Sequence, residues 1–213
     1  MSGIFAMASA ALQGVGSLVG FRNGTEEPSY TVEQRTRDVE IRRYGERIVA
    51  ETIVTGDEEA ARNIGFRRLA GYIFGGNHSR TKFAMTAPVA QGTASPAGER
   101  IAMASPVAQQ SAVPGQWVIR FFMPAGITLE SLPDPDNSAV RLVRLPAETV
   151  AVHTFAGDRG RRAVEAHSVQ LLNALEELAF QPAGAPQAWF YDPPWTIPLF
   201  RRNEIAVPVT KNN

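Results

Sequence analysis

The sequence predicts an α+β protein, an antiparallel, barrel-like sheet flanked by two related helices. Three observations predict it. Slid against itself by 101 residues, the chain lays "VEIRRYGERIVAETIVTGD" from Val39 over "VRLVRLPAETVAVHTFAGD" from Val140, with Val39/Val140, Arg43/Arg144, Val49/Val150, Ala50/Ala151, Gly56/Gly157 and Asp57/Asp158 identical. Each copy is a pair of short β-branched runs followed by a segment of helical periodicity. After each helix the period returns to two. Strand–strand–helix–strand–strand, used twice, favours helices packed against an antiparallel sheet.

The first half starts with strands over 39–44 and 48–54, turned at Gly45; the second copy carries Pro146 at that place. Gly56-Asp57 and Gly157-Asp158 end the strand pairs, and either aspartate has the chemistry to cap the following helix. The first helix is expected over 58–74, stopped by Gly75-Gly76, with Phe66, Leu69, Ala70 and Ile73 as its core face. The second is expected over 161–180, with Val164, Leu171, Leu175 and Leu178 inward and Pro182 and Gly184 beyond its end. Strands are expected over 82–89, 101–107 and 116–123, then over 187–191 and 204–209. "LPDPDNSA" (132–139) joins the halves, 30–131 and 139–210, of one domain spanning 29–210.

A second repetition falls inside the first half. "FAMTAPVAQ" (83–91) and "IAMASPVAQ" (101–109) agree at six of nine positions. They are expected on consecutive antiparallel strands, with Pro88 and Pro106 at a barrel rim because proline has no N–H for the ladder. Met85 and Met103 are expected as core fillers.

Composition narrows the function. Lys+Arg and Asp+Glu are both 21, which speaks against nucleic acid as a partner. The absence of cysteine removes thiolate nucleophiles, zinc–thiolate sites and iron–sulfur clusters. His78, His153 and His167 are scattered without metal-ligand spacing, so no metal site is expected. No nucleophile elbow or phosphate-cradling loop is present; Glu51, mid-strand in "VAETIV", is the candidate general acid or base if the barrel groove is catalytic. Residues 1–28 form an apolar arm or short helix without a basic n-region, so a signal peptide is not expected and the chain reads as cytoplasmic. Gly16 and Gly20 have helix-contact spacing, and the arm offers self-association or membrane-surface contact.

Four stretches, "VEIRRY" (39–44), "YIFGGN" (72–77), "KFAMTAPV" (82–89) and "YDPPWTIPLFRRNE" (191–204), resemble the SOUL haem-binding protein family. The resemblance runs over about 30–209. It implies a distorted antiparallel β-barrel with two long helices and pseudo-twofold internal symmetry, a fold shared with bacterial effector-binding domains. It also implies non-covalent binding of haem or another tetrapyrrole, a small flat apolar ligand with carboxylates, on the outer face of the first helix beside the loop between the last two strands.

That helix face carries Ala60, Ile64, Arg67 and Gly71 at i, i+4, i+7 and i+11, bordered by Arg68 and Tyr72. The late loop offers Trp195, Ile197 and Phe200 as a lid and Arg201 as a carboxylate partner. Tyr191, Asn203 and Glu204 are expected to hold the loop. The chain departs from the family in two ways: Tyr72 stands where a helix lysine is usual, with no lysine in the loop, and no histidine precedes His78. An effector-binding module of the same fold, or an enzyme working in the barrel groove, are the alternatives.

Overall fold

The computed structural model describes residues 25–94 and 114–212. Residues 1–24 of the apolar arm and the second nonapeptide, with Met103 and Pro106, lie outside the described residues. Strands β1 (Tyr30–Arg35), β2 (Glu40–Tyr44) and β3 (Arg47–Thr55) lead into helix α1 (Glu58–Ile73), then β4 (Val89–Thr93) and β5 (Gln116–Phe122). The second half has β6 (Val140–Leu145), β7 (Glu148–Phe155), helix α2 (Arg161–Glu176), β8 (Phe180–Pro182), β9 (Gln187–Phe190) and β10 (Asn203–Lys211).

The fold is α+β, a curled antiparallel sheet with two helices. Nine strands follow the order β1-β2-β7-β10-β9-β4-β5-β3-β6, with β8 on the far end of β10. Exchanging β2 with β6, β3 with β7, β4 with β9 and β5 with β10 returns the same order reversed, apart from the added β1. The halves are interleaved: β2 pairs with β7, β3 with β6, and β4 with β9. Each half depends on the other for its hydrogen-bond ladder. β1 is exposed at all six positions, and its charged residues Glu33 and Arg35 guard an open sheet edge.

Strand alternation divides the core. Ala151 packs with Phe155, Leu171, Leu175, Ile205 and Val207 beneath α2. Its neighbours Val150 and Val152 point to the other side of β7, into a cluster with Tyr44, Phe122, Trp189 and Tyr191. Beneath α1, Ala61, Leu69, Tyr72 and Ile73 meet Ile119, Phe121 and Met123 of β5. A cavity at such a site typically costs about 2–5 kcal/mol for Leu→Ala, so Leu69 and Leu171 are strong anchors.

Helix α1 starts as expected: Asp57 Oδ1 accepts from the Glu59 and Ala60 amides at 3.1 and 3.0 Å. Asp158 does not cap α2; Gly160 occupies the N-cap, and Asp158 Oδ1 accepts from its amide at 3.0 Å. Helix α2 also ends four residues short of expectation, because Phe180 starts β8 along the end of β10.

The core face of α1 is turned relative to the expected one. Leu69 and Ile73 are buried, but Phe66 is 39% exposed, edge-on to Phe121. Gly65 completes the contact, since a Cβ there would stand 2.8 Å from Ile119 Cγ1. The strand expected over 82–89 begins only at Val89. Before it the chain is irregular, with one parallel bridge between Glu26 and Thr86 and a cis peptide at Ala87–Pro88. Met85 is 36% exposed and is not a core filler.

Candidate functional site

Helix α1 buries Ala61, Gly65, Leu69, Tyr72 and Ile73, so its other side faces outward. Arg67 and Gly71 are exposed, and Ala60 and Ile64 are half-buried. A Cβ built on Gly71 meets nothing within 4 Å. At about 1.5 Å per residue, the stripe from Ala60 to Gly71 is about 16 Å long, matching a flat ligand rather than a deep cleft. Phe74, 60% exposed, ends it.

Two bordering residues do not belong to this face. Tyr72 is 2% exposed, stacks on Phe83 and donates its hydroxyl to the Pro133 carbonyl at 3.1 Å; burial raises its pKa to about 12. It lies one residue, or about 100°, beyond Gly71 on the helix wheel, which carries it into the core. Arg68 turns to the sheet, where Nη1 donates to Thr52 Oγ1 at 3.4 Å and the Ile53 carbonyl at 3.3 Å.

The late loop presents apolar side chains to solvent. Trp195 is 62% exposed, Ile197 44%, Leu199 79% and Phe200 51%, a contiguous sequence patch of the kind that marks a binding surface. Arg201 gives the loop its shape, donating to the Thr196 and Pro194 carbonyls at 2.8 Å each. Tyr191 and Glu204 hold its base: Tyr191 Oη donates to Glu204 Oε2 at 2.6 Å. Glu204 also accepts from Arg42 Nη1 at 2.9 Å and Arg202 Nη2 at 2.8 Å. Burial alone would raise the Glu204 carboxyl, but these arginines hold it below the ordinary carboxylate value.

A cavity of about 300 Å³ joins α1 to this loop, lined by Glu59, Arg62 and Asn63, by Asp158, Arg159 and Gly160, and by Pro194 and Arg201. Three arginines therefore crowd one recess. Arg62 Nε is held by Gln91 Oε1 at 2.6 Å, and its guanidinium lies 4.6 Å from the Phe190 ring centroid. Arg159 Nη1 donates to the Asp192 carbonyl at 3.2 Å. Burial, then the like charges of Arg62 and Arg201, lower the Arg159 pKa to about 10. Burial also lowers that of Arg62. Of the lining residues, three arginines face two carboxylates, Glu59 and Asp158, a small positive excess that an anion would offset.

The structure thus brings Arg201 to the first half of α1, where Glu59, Arg62 and Asn63 line the same recess. Arg67 and Gly71 lie about one and a half and two and a half turns further along. Arg62 and Arg159 were missing from the sequence reading. Arg62 belongs to a face half a turn from the selected stripe, and Arg159 reaches the site only through the sheet topology.

The model for SOUL haem-binding proteins matches residues 25–208. The chain belongs to the SOUL haem-binding family. Among solved structures, this family member is similar to an uncharacterized conserved protein from Listeria innocua, with 18% identity, a TM-score of 0.57, and 82% of this chain and 93% of that one covered. A hydrolase from Listeria innocua follows at 15%, 0.57, 84% and 94%. The EcmrR C-terminal domain gives 12%, 0.56, 85% and 98%. At these identities the likeness shows a common fold. No curated protein matches significantly.

Glu51, the candidate groove carboxylate, is buried and held by Arg120 Nε at 2.9 Å and Arg141 Nη2 at 2.8 Å, so it is committed to ion pairs. His78 is exposed beside Asp136. His153 Nε2 and His167 Nδ1 lie 3.1 Å apart between β7 and α2, away from the recess. Among the described residues no three His, Asp or Glu side chains gather as a metal site, and no helix is long and apolar enough to cross a membrane.

Proposed function

We propose that this SOUL-family protein binds haem or a related tetrapyrrole non-covalently across the outer face of α1 and the late loop. The observation that carries this reading is the recess of Arg62, Arg159 and Arg201 beside an exposed apolar loop. A tetrapyrrole supplies a flat apolar ring with carboxylates at one edge, and the residues present fit that chemistry. Ala60, Ile64 and Gly71 keep the helix face low, and Trp195, Ile197 and Phe200 supply apolar cover. The three recess arginines pair with carboxylates through charge-assisted hydrogen bonds, with Arg67 available further along.

The family's helix lysine is not replaced at Tyr72, whose hydroxyl is committed to Pro133. In this chain the cationic role falls to the arginines. Equal totals of basic and acidic residues, 21 each, supply no overall positive charge for a nucleic acid. The test is a haemin titration followed in the Soret band. The parent should saturate at one ligand per chain, Gly71→Trp should block the flat face, and Arg67→Glu should weaken binding. Unchanged affinity in both variants would place the site elsewhere.

A further inference from the structure

The packing of α2 on β7 brings together two histidines that lie 14 residues apart in the chain. His153 Nε2 and His167 Nδ1 are 3.1 Å apart, and His167 Nδ1 is 2.8 Å from Gln170 Oε1, three residues along α2. His153 Nδ1 lies 2.9 Å from the Asp38 carbonyl, between β1 and β2. Phe155, buried beneath α2, stacks on the His167 ring with centroids 3.9 Å apart. Both histidines are half-buried and Gln170 is exposed, so the cluster opens to solvent at Gln170.

The hydrogen bonds fix where the protons sit. A carbonyl oxygen only accepts, so His153 carries its proton on Nδ1 and keeps a lone pair on Nε2. A carbonyl bonded to one ring nitrogen is the usual means of orienting a metal-ligating histidine. As the rings stand, His167 Nδ1 donates to His153 Nε2 and to Gln170 Oε1. Moving that proton to its own Nε2 changes no net charge and sets a second lone pair beside the first. Burial lowers the His167 pKa against the opposing pull of the Gln170 bond, and His153 adds like charge. The His167 ring is therefore neutral at pH 7, the form that a metal takes.

We infer that His153 Nε2, His167 Nδ1 and Gln170 Oε1 form a three-donor site for a divalent copper or nickel ion. At metal–nitrogen distances of about 2.0–2.1 Å, nitrogens 3.1 Å apart subtend about 95–102° at a common metal. The 2.8 Å edge to Gln170 Oε1 subtends about 85°. Both angles are closer to a tetragonal N,O site, which suits copper and nickel, than to the tetrahedron of structural zinc. Two imidazoles and an amide hold no carboxylate, which disfavours calcium and magnesium. Charged side chains on the same elements are paired elsewhere: Arg161 with Glu165, and Glu40 with Arg35 and Arg42. Sequence spacing is silent because one ligand comes from a strand and two from a helix. The site goes beyond the tetrapyrrole reading and does not depend on it.

The test is a titration of the full chain with Cu(II), followed by electron paramagnetic resonance and by broadening of the histidine ring C–H resonances. Cu(II) should saturate at one per chain with a tetragonal spectrum, broadening His153 and His167 and sparing His78. Ni(II) should bind more weakly and Co(II) more weakly still. Affinity should fall as pH drops through the ordinary imidazole range, because protons compete for the same lone pairs. His153→Phe and His167→Phe should each abolish saturable binding, and His78→Asn should change nothing. Should a histidine variant not fold, Gln170→Glu decides: at an exposed position it adds an anionic oxygen and should tighten Cu(II) severalfold. The inference is overturned if broadening centres on His78, if Cu(II) does not saturate at one per chain, if Zn(II) binds more tightly than Cu(II), or if Gln170→Glu leaves the affinity where it was.

Discussion

Arg159→Met separates binding from stability. In the parent, Arg159 is pressed by burial and by Arg62 and Arg201 to a pKa of about 10. At about 1.4 kcal/mol per pH unit, that drop corresponds to about 3 kcal/mol at full value. Solvent screening at a half-exposed side chain reduces it to nearer 1 kcal/mol. The variant relieves this cost and loses the bond to the Asp192 carbonyl at 3.2 Å, worth about 1 kcal/mol. The two nearly cancel, so Tm should move by no more than about 4 °C. Binding should respond differently. Loss of one charge-assisted carboxylate contact, about 1.5–3 kcal/mol, should weaken haem by about ten- to a hundredfold. The assays are thermal unfolding and a Soret titration on the same preparation. A large fall in Tm with unchanged haem affinity would make Arg159 a structural residue and refute the reasoning.

Three further outcomes are expected. Gly65→Ala should destabilise by about 1–3 kcal/mol through overpacking on Ile119, whereas Gly71→Ala, on the open side of the same helix, should stabilise by up to about 1 kcal/mol; urea unfolding compares them. Glu204→Gln leaves the buried Arg42 guanidinium with Glu40, at 2.8 Å from Nε, as its remaining anionic partner, and should cost about 1–3 kcal/mol. Because its folded carboxyl pKa is depressed, the parent's Glu204 contribution is present above about pH 4.3 and fades as pH falls through the folded value, which acid unfolding of parent and variant would show. Arg67→Glu should weaken haem without changing Tm, since Arg67 is exposed; a loss of Tm would assign it a packing role instead.

The frame of the fold was legible because its signals are local. Alternation marked β2, β3, β6 and β7, and the 101-residue offset matched them as repeats; that β2 pairs with β7 and β3 with β6, rather than within each half, was not legible. The start of β4 was not legible: the run before Val89 has strand-like residues, yet only Thr86 makes a bridge, to Glu26, a residue with no strand pattern of its own. Gly160 displaced Asp158 as the α2 cap for a similar reason, since two residues of extra chain separate Gly157-Asp158 from the helix there. At the site, the stripe and loop came from helical spacing and a motif, and the structure leaves Arg67 and Gly71 outward. Tyr72 and Arg68 were misjudged because a stripe's border residues lie about 100° from it, enough to turn them inward. The arginine recess was invisible because Arg62, Arg159 and Arg201 come from three segments that only the β4–β9 junction brings together.

The account rests on where a tetrapyrrole lies, and an amide chemical-shift map of the full chain titrated with metal-free protoporphyrin IX tests that most directly. The account predicts perturbations confined to residues 59–74, 158–160 and 192–202, with the largest at Arg62, Arg159 and the Trp195–Phe200 stretch. Perturbations centred instead on Glu51 and the sheet interior, or on the His153–His167 face of α2, would contradict it.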